Sequence, residues 1–175
     1  MNLTDAEGIA WNAWTLNLCI SEPAFFYMQL FSASGNLVAD GRINPNLSLW
    51  LRGETVRTLN EALSDPARAL SNAVILAVGR ITHHETLYGD REAARLVHRP
   101  AHQRMVAAEG GIGAMKLPVL VVRLIEWADR VIATLCGPAD DSKTVPESRT
   151  GHQRKDRLDL HVVNSYVPGA VQGAP

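Results

Sequence analysis

The apolar residues Leu120, Leu124, Trp127, Val131 and Leu135 recur at i, i+4, i+7, i+11 and i+15. That spacing lines one face of an α-helix, which Pro118 opens in its first turn and Gly137-Pro138 ends. The same period predicts four more helices. Ser21-Glu22-Pro23, with Ser at the N-cap, an acid in the first turn and a Pro where no amide bond is lost, starts a helix running to about Val38. Asn46 to Leu63 places Leu49, Val56, Leu59 and Leu63 on one side and Arg52, Arg57 and Glu61 on the other, and Ser64-Asp65-Pro66 stops it. Ser71 caps a helix to Tyr88 whose stripe is Val74, Val78, Ile81 and Tyr88, with Gly89 suited to a left-handed terminal residue. Asp90 caps the next, with Ala94, Val97, Ala101, Met105 and Ala108 along one side, ending at Gly110-Gly111.

No alternating run of useful length and no internal repeat interrupts these segments, so the predicted fold is an all-α bundle of five or six amphipathic helices. Pro100 falls inside the helix that Asp90 opens, and the apolar stripe continues on both sides of it. The expectation is a kink rather than a break, with Pro100→Ala stabilising the fold by about 1–3 kcal/mol. After Gly137 the chain turns polar, and its five bases (Lys143, Arg149, Arg154, Lys155, Arg157) are matched by five acids (Asp140, Asp141, Glu147, Asp156, Asp159). Residues 1–137 therefore read as one helical domain and 138–175 as a mostly disordered tail.

Composition narrows the function classes. The 175 residues suffice for one core, and 17 basic against 18 acidic side chains leave a formal charge of −1, which offers no global field to draw nucleic acid or anionic lipid. Cys19 and Cys136 lie in apolar stretches and read as buried thiols in a reducing compartment. The first basic residue is Arg42, so neither a secretory nor a mitochondrial signal is expected. The longest uncharged run, Pro23 to Ala39, is too short and too polar to span a bilayer.

Candidate chemistry is sparse. His98 and His102 stand four apart, the spacing that puts two imidazoles on one helical face, and His83, His84 and Glu85 are possible further ligands from the neighbouring helix. Against zinc stand Arg99 and Pro100 where a metalloprotease helix has its Glu, and the positive charge of Arg99 and Arg104, so ordinary histidines are the expected reading. Glu109-Gly110-Gly111-Ile112-Gly113 follows a helix rather than a strand, which makes it a helix stop and tight turn rather than a phosphate cradle. Trp11, Trp14, Phe25, Phe26, Tyr27 and Phe31 have no interleaved bases and read as core or interface residues. No nucleophile elbow, Cys–His signature or carboxylate cluster occurs. The expected site inventory is thus no catalytic, cofactor or metal residue.

An ordered set of phrases carries a resemblance: Ser21-Glu22-Pro23-Ala24-Phe25, Arg57 to Asp65, Ala69 to Asn72, Glu85-Thr86-Leu87-Tyr88-Gly89-Asp90, Ala94 to His98, Arg104-Met105-Val106 and Gly110-Gly111-Ile112. From about Trp11 to Pro138 the chain resembles the helical regulatory domain of fungal-specific transcription factors, which follows a Zn₂Cys₆ DNA-binding cluster in many fungal regulators. Trp127, Asp129 and Gly137-Pro138 continue the pattern. Pro100 departs from it, and so does the lack of a zinc cluster and of a long helical continuation. The resemblance implies a non-enzymatic regulatory domain in the nucleus that works through protein contacts, self-association or a small effector, without specific DNA binding by this chain. The competing readings are a stand-alone helical interaction protein, nuclear or cytoplasmic, and a small metal-dependent enzyme built on His98 and His102.

Overall fold

Helix boundaries follow local cap chemistry along most of the chain. The computed structural model describes residues 5–137, and every regular element among them is helical. The elements are α1 (Asp5–Ser21), α2 (Pro23–Ala39), α3 (Pro45–Ser64), α4 (Asn72–Tyr88), one turn α5 (Arg91–Ala93), a π-helical segment (Ala94–His98), α6 (Arg99–Ala108) and α7 (Val119–Cys136). The all-α prediction holds for these residues; the tail expected over 138–175 lies outside them. Ser71 caps α4 by accepting from the Val74 amide, and Asp90 caps α5 by accepting from Ala93 at 2.9 Å. Asp65 is extended (ψ 110°), as the residue before Pro66 must be, and α3 stops there.

Two expected ends are built differently. Ser21 is the last residue of α1, and Glu22 caps α2 instead, accepting from the Ala24 amide at 3.1 Å. A buried carboxylate can serve there because Arg68 donates to both its oxygens, at 2.7 and 3.1 Å. Gly89 is not left-handed (φ −136°). A methyl group at this position would overlap Glu85 Oε2, so close approach is what requires glycine. Positive φ is needed at Gly110 and Gly111, at +83° and +93°, and there the helix stop read from sequence is correct.

α4 is the central helix, flanked by α2, α3, α6, α7 and the π-helical segment. Its buried residues, among them Val74, Ile75, Ala77, Val78 and Ile81, lie on most of its circumference, as expected of a helix surrounded by others. Phe25, Met28 and Phe31 of α2 and Leu51, Leu59 and Ala62 of α3 complete the core with Ala101 and Met105 of α6. Two expected faces hold only in part: on α3 Leu59 is in the core and Val56 and Leu63 pack against it, as the stripe predicts, while other positions differ. On α3, Leu49 is exposed and Thr55 and Thr58 are buried, each hydroxyl satisfied by a backbone carbonyl one turn back. On α7 the inward stripe is Val121, Leu124, Ile125, Ala128 and Ile132, while Trp127 and Leu135 are largely exposed. The apolar residues of α7 fit a 3.6 period on two offset stripes, and only contact with α4 selects one.

Around Pro100 the chain stays helical. His98 (φ −72°, ψ −44°) and Arg99 (φ −62°, ψ −50°) are right-handed, and the Arg99 amide donates to the Ala94 carbonyl five residues back. This wider turn makes room for the ring and puts Pro100 in the first turn of α6, where its missing donor matters least. The conflict inferred from sequence is therefore largely absorbed. Pro100→Ala should change stability by less than about 1 kcal/mol, because the restored donor is offset by entropy returned to the unfolded chain. Urea unfolding checks this; a gain near 3 kcal/mol would show that the π turn is strain imposed by the ring.

Candidate functional site

Trp11 and Trp14 stand three apart on α1, so their rings share one face of that helix, with centroids 5.9 Å apart. That face and Phe25 and Gln29 of α2 form one side of a cavity of about 110 Å³ that opens to solvent. The opposite wall is the inward stripe of α7, from Val121 to Ile132. Between them, α4 contributes Leu76, Gly79, Arg80, Thr82 and His83, and α6 contributes Arg99 and His102. Trp127 closes the edge, its ring centroid 5.3 Å from that of His83 in a T-shaped arrangement. The lining is mostly apolar with a few convergent polar groups, the usual make-up of a small-molecule site.

The polar groups are unevenly satisfied. Arg99 is only 8% exposed. Its Nη1 donates to the Gly137 carbonyl at 3.0 Å, and its Nε is enclosed with no acceptor. Arg80 sits at the rim with exposed surface, yet enough protein surrounds it that desolvation lowers its pKa from the ordinary value. Asp129 is the carboxylate on the lining, and no ion pair joins it to either arginine among the described residues. Burial lowers the pKa of His102, partly countered by the Asp129 charge, and burial together with nearby Arg80 lowers that of His83. Both imidazoles are therefore neutral at pH 7, and His83 Nε2 has no partner. Gly79 is what lets His102 lie against α4: a methyl there would sit 2.7 Å from His102 Nε2.

The histidine constellation read from sequence is divided by this geometry. His83 and His102 line the cavity, whereas His84 packs against Phe31, at 4.0 Å between centroids, and Tyr88. His98 lies on the side of the bundle where Glu85, Arg52 and Asp90 act on its charge. His83 and His84 are adjacent on one helix and so point about 100° apart, and His98, the last residue of the π-helical segment, meets Glu85, Arg52 and Asp90 while His102 on α6 lines the cavity. Among the described residues no three His, Cys, Asp or Glu side chains converge as metal ligands. Glu85 instead ties three elements together, accepting from Arg52 Nε and from the Asp90 amide, each at 2.7 Å. The Glu85-to-Asp90 phrase is thus a structural knot. The cavity itself had no single motif in the sequence; the pair Trp11 and Trp14 and the inward stripe of α7 were its only local traces.

No helix among the described residues is long and apolar enough to cross a membrane. No family model matches the chain, and neither does any curated protein or solved structure.

Proposed function

We propose that this chain is a non-enzymatic helical regulatory domain, of the kind found in fungal-specific transcription factors, that takes up a small effector in the cavity between α1, α2, α4, α6 and α7. The observation that carries the reading is the cavity itself, a solvent-open apolar space in the middle of the bundle with an underused buried guanidinium on its wall. Its walls come from five helices, so an occupant shifts the balance between arrangements of α1 and α7 on the α4 core, which is how a bound ligand is converted into a change of surface. In this proposal the chain acts in the nucleus and makes no sequence-specific DNA contact of its own.

The test fuses the full chain to a heterologous DNA-binding module and reads a reporter. The fusion should change transcription severalfold relative to the module alone, and Ala128→Trp, which fills the cavity from α7, should abolish the change. Equal output from fusion and module would sink the proposal. That result would favour the second reading, a helical interaction protein, which is supported by the exposed apolar residues Ile9, Leu16 and Ile20 of α1 and Leu47, Leu49 and Trp50 of α3. Concentration-dependent self-association in sedimentation would mark that case.

A further inference from the structure

The cavity's chemistry narrows what it accepts. Resting on the reading that an effector binds there, we propose that the occupant is a small organic acid in its anionic form, with its carboxylate at Arg99 and a ring-sized apolar body between Trp11, Trp14 and the α7 wall.

Charge decides the sign of the head group. Two guanidinium groups, Arg80 and Arg99, face one carboxylate, Asp129, while His83 and His102 are held neutral by burial. The lining therefore carries one excess positive charge, which a monoanion cancels and a cation doubles. Arg99 adds a stronger argument than the count. A guanidinium has five donors in a planar fork. Nη1 finds an acceptor in the Gly137 carbonyl and Nε, enclosed, finds none. Because Nε is shielded even from water, an anion in the cavity acts on the guanidinium as a whole, and a carboxylate suits this buried cation in charge and in planar shape. Arg80 at the rim adds a second positive charge on the path of entry.

Size and walls set the body. An apolar cavity of about 150 Å³ is enough to hold benzene, and the 110 Å³ here, open at its mouth, suits a single ring or a short branched chain whose polar end stays near the arginines. Tryptophan faces and the aliphatic side chains of Val121, Leu124, Ile125 and Ile132 offer stacking and dispersion but few directional bonds. The opposite assignment, an amine held between tryptophan faces and Asp129, would use cation–π attraction but bring a third positive charge beside two arginines.

The test measures binding of phenylacetate, 2-phenylacetamide and phenethylamine to the full chain, and of isovalerate, isovaleramide and isopentylamine as a second body, by calorimetry and by quenching of tryptophan fluorescence. Three of the chain's four tryptophans line the cavity, so the optical signal reports on it. In at least one series the acid should bind about 10–100-fold tighter than the amide, the range expected for a charge-assisted hydrogen bond. Arg99→Met should reduce the acid to the level of its amide while leaving the amide unchanged. Because Arg99 also bonds Gly137, Arg80→Gln at the rim serves as a second variant and should weaken the acid severalfold with the fold intact by circular dichroism. Amide equal to acid in both series, or amine tightest, overturns the charge assignment and leaves the cavity as a binding site, provided Ala128→Phe abolishes binding. No binding by any of the six compounds overturns both.

Discussion

Glu85→Leu should destabilise the protein by about 3–5 kcal/mol, the loss expected when one partner of a buried ion pair is removed. Glu85 is 1% exposed. Its Oε1 accepts from Arg52 Nε on α3, and its Oε2 from the Asp90 amide that opens α5, both at 2.7 Å. Leucine takes the Glu85 carboxylate from the half-buried Arg52 and from the Asp90 amide, and the loss of both charge-assisted bonds makes up the cost. Glu85→Gln keeps the shape and one acceptor, so it should cost less than Leu. Adding Arg52→Met to Glu85→Leu should recover part of the loss, because replacing both members of a buried pair by apolar groups costs less than removing one. Urea unfolding of the four proteins checks the cycle. A Glu85→Leu loss under about 1 kcal/mol would place this pair among weak surface bridges and remove its role as the knot between α3, α4 and α5.

Sequence reading succeeded where the determining chemistry is local. Ser71, Asp90, Pro66 and Gly110-Gly111 act on their own backbone within a turn, and each ends or starts a helix where the residue type predicts. It failed where the determining contact is distant. Glu22 displaces Ser21 as a cap because Arg68, on the turn after α3, answers its charge. Arg52, assigned to the solvent side of α3, turns to Glu85 on α4. α1 has no counterpart among the periodic segments, since Ile9, Leu16 and Ile20 lie exposed and its apolar residues do not concentrate on one face; it is held by contacts with α2 and by the placement of Trp11 and Trp14 over the cavity.

The candidate site shows the same division. The histidine pair at i, i+4 is visible in the sequence, but what each ring meets depends on the helices packed around it, which spacing does not reveal. His102 lines the cavity beside Arg99, whereas His98 meets the charges of Glu85, Arg52 and Asp90. Arg99, weighed in sequence only as an obstacle to zinc, becomes the group with the strongest unmet demand. A buried guanidinium looks like any surface arginine until the helices around it are placed.

The second large effect is acid sensitivity well above the usual carboxylate range. His83, His84, His98 and His102 all have pKa values lowered by burial, that of His84 to about 4. The unfolded chain takes up protons near the ordinary 6.5 that the folded protein refuses, so stability is complete above about pH 6.5 and falls as pH drops through the window below it. Each such histidine removes up to about 1.4 kcal/mol per pH unit inside its window, and His84, buried against Phe31 and Tyr88, accounts for about 3 kcal/mol between 6.5 and 4. The free energy of unfolding should therefore fall by about 2 kcal/mol or more between pH 7.5 and pH 5, His84 accounting for about 2 of it, and His84→Gln should flatten the slope. Equal stability at the two values would contradict neutral burial of these rings. The two large effects are coupled: the Glu85 charge raises the pKa of His84 and of His98 against the desolvation that lowers them. In Glu85→Leu that support is gone, so both rings resist protonation further and the acid-driven loss extends to lower pH than in the parent protein.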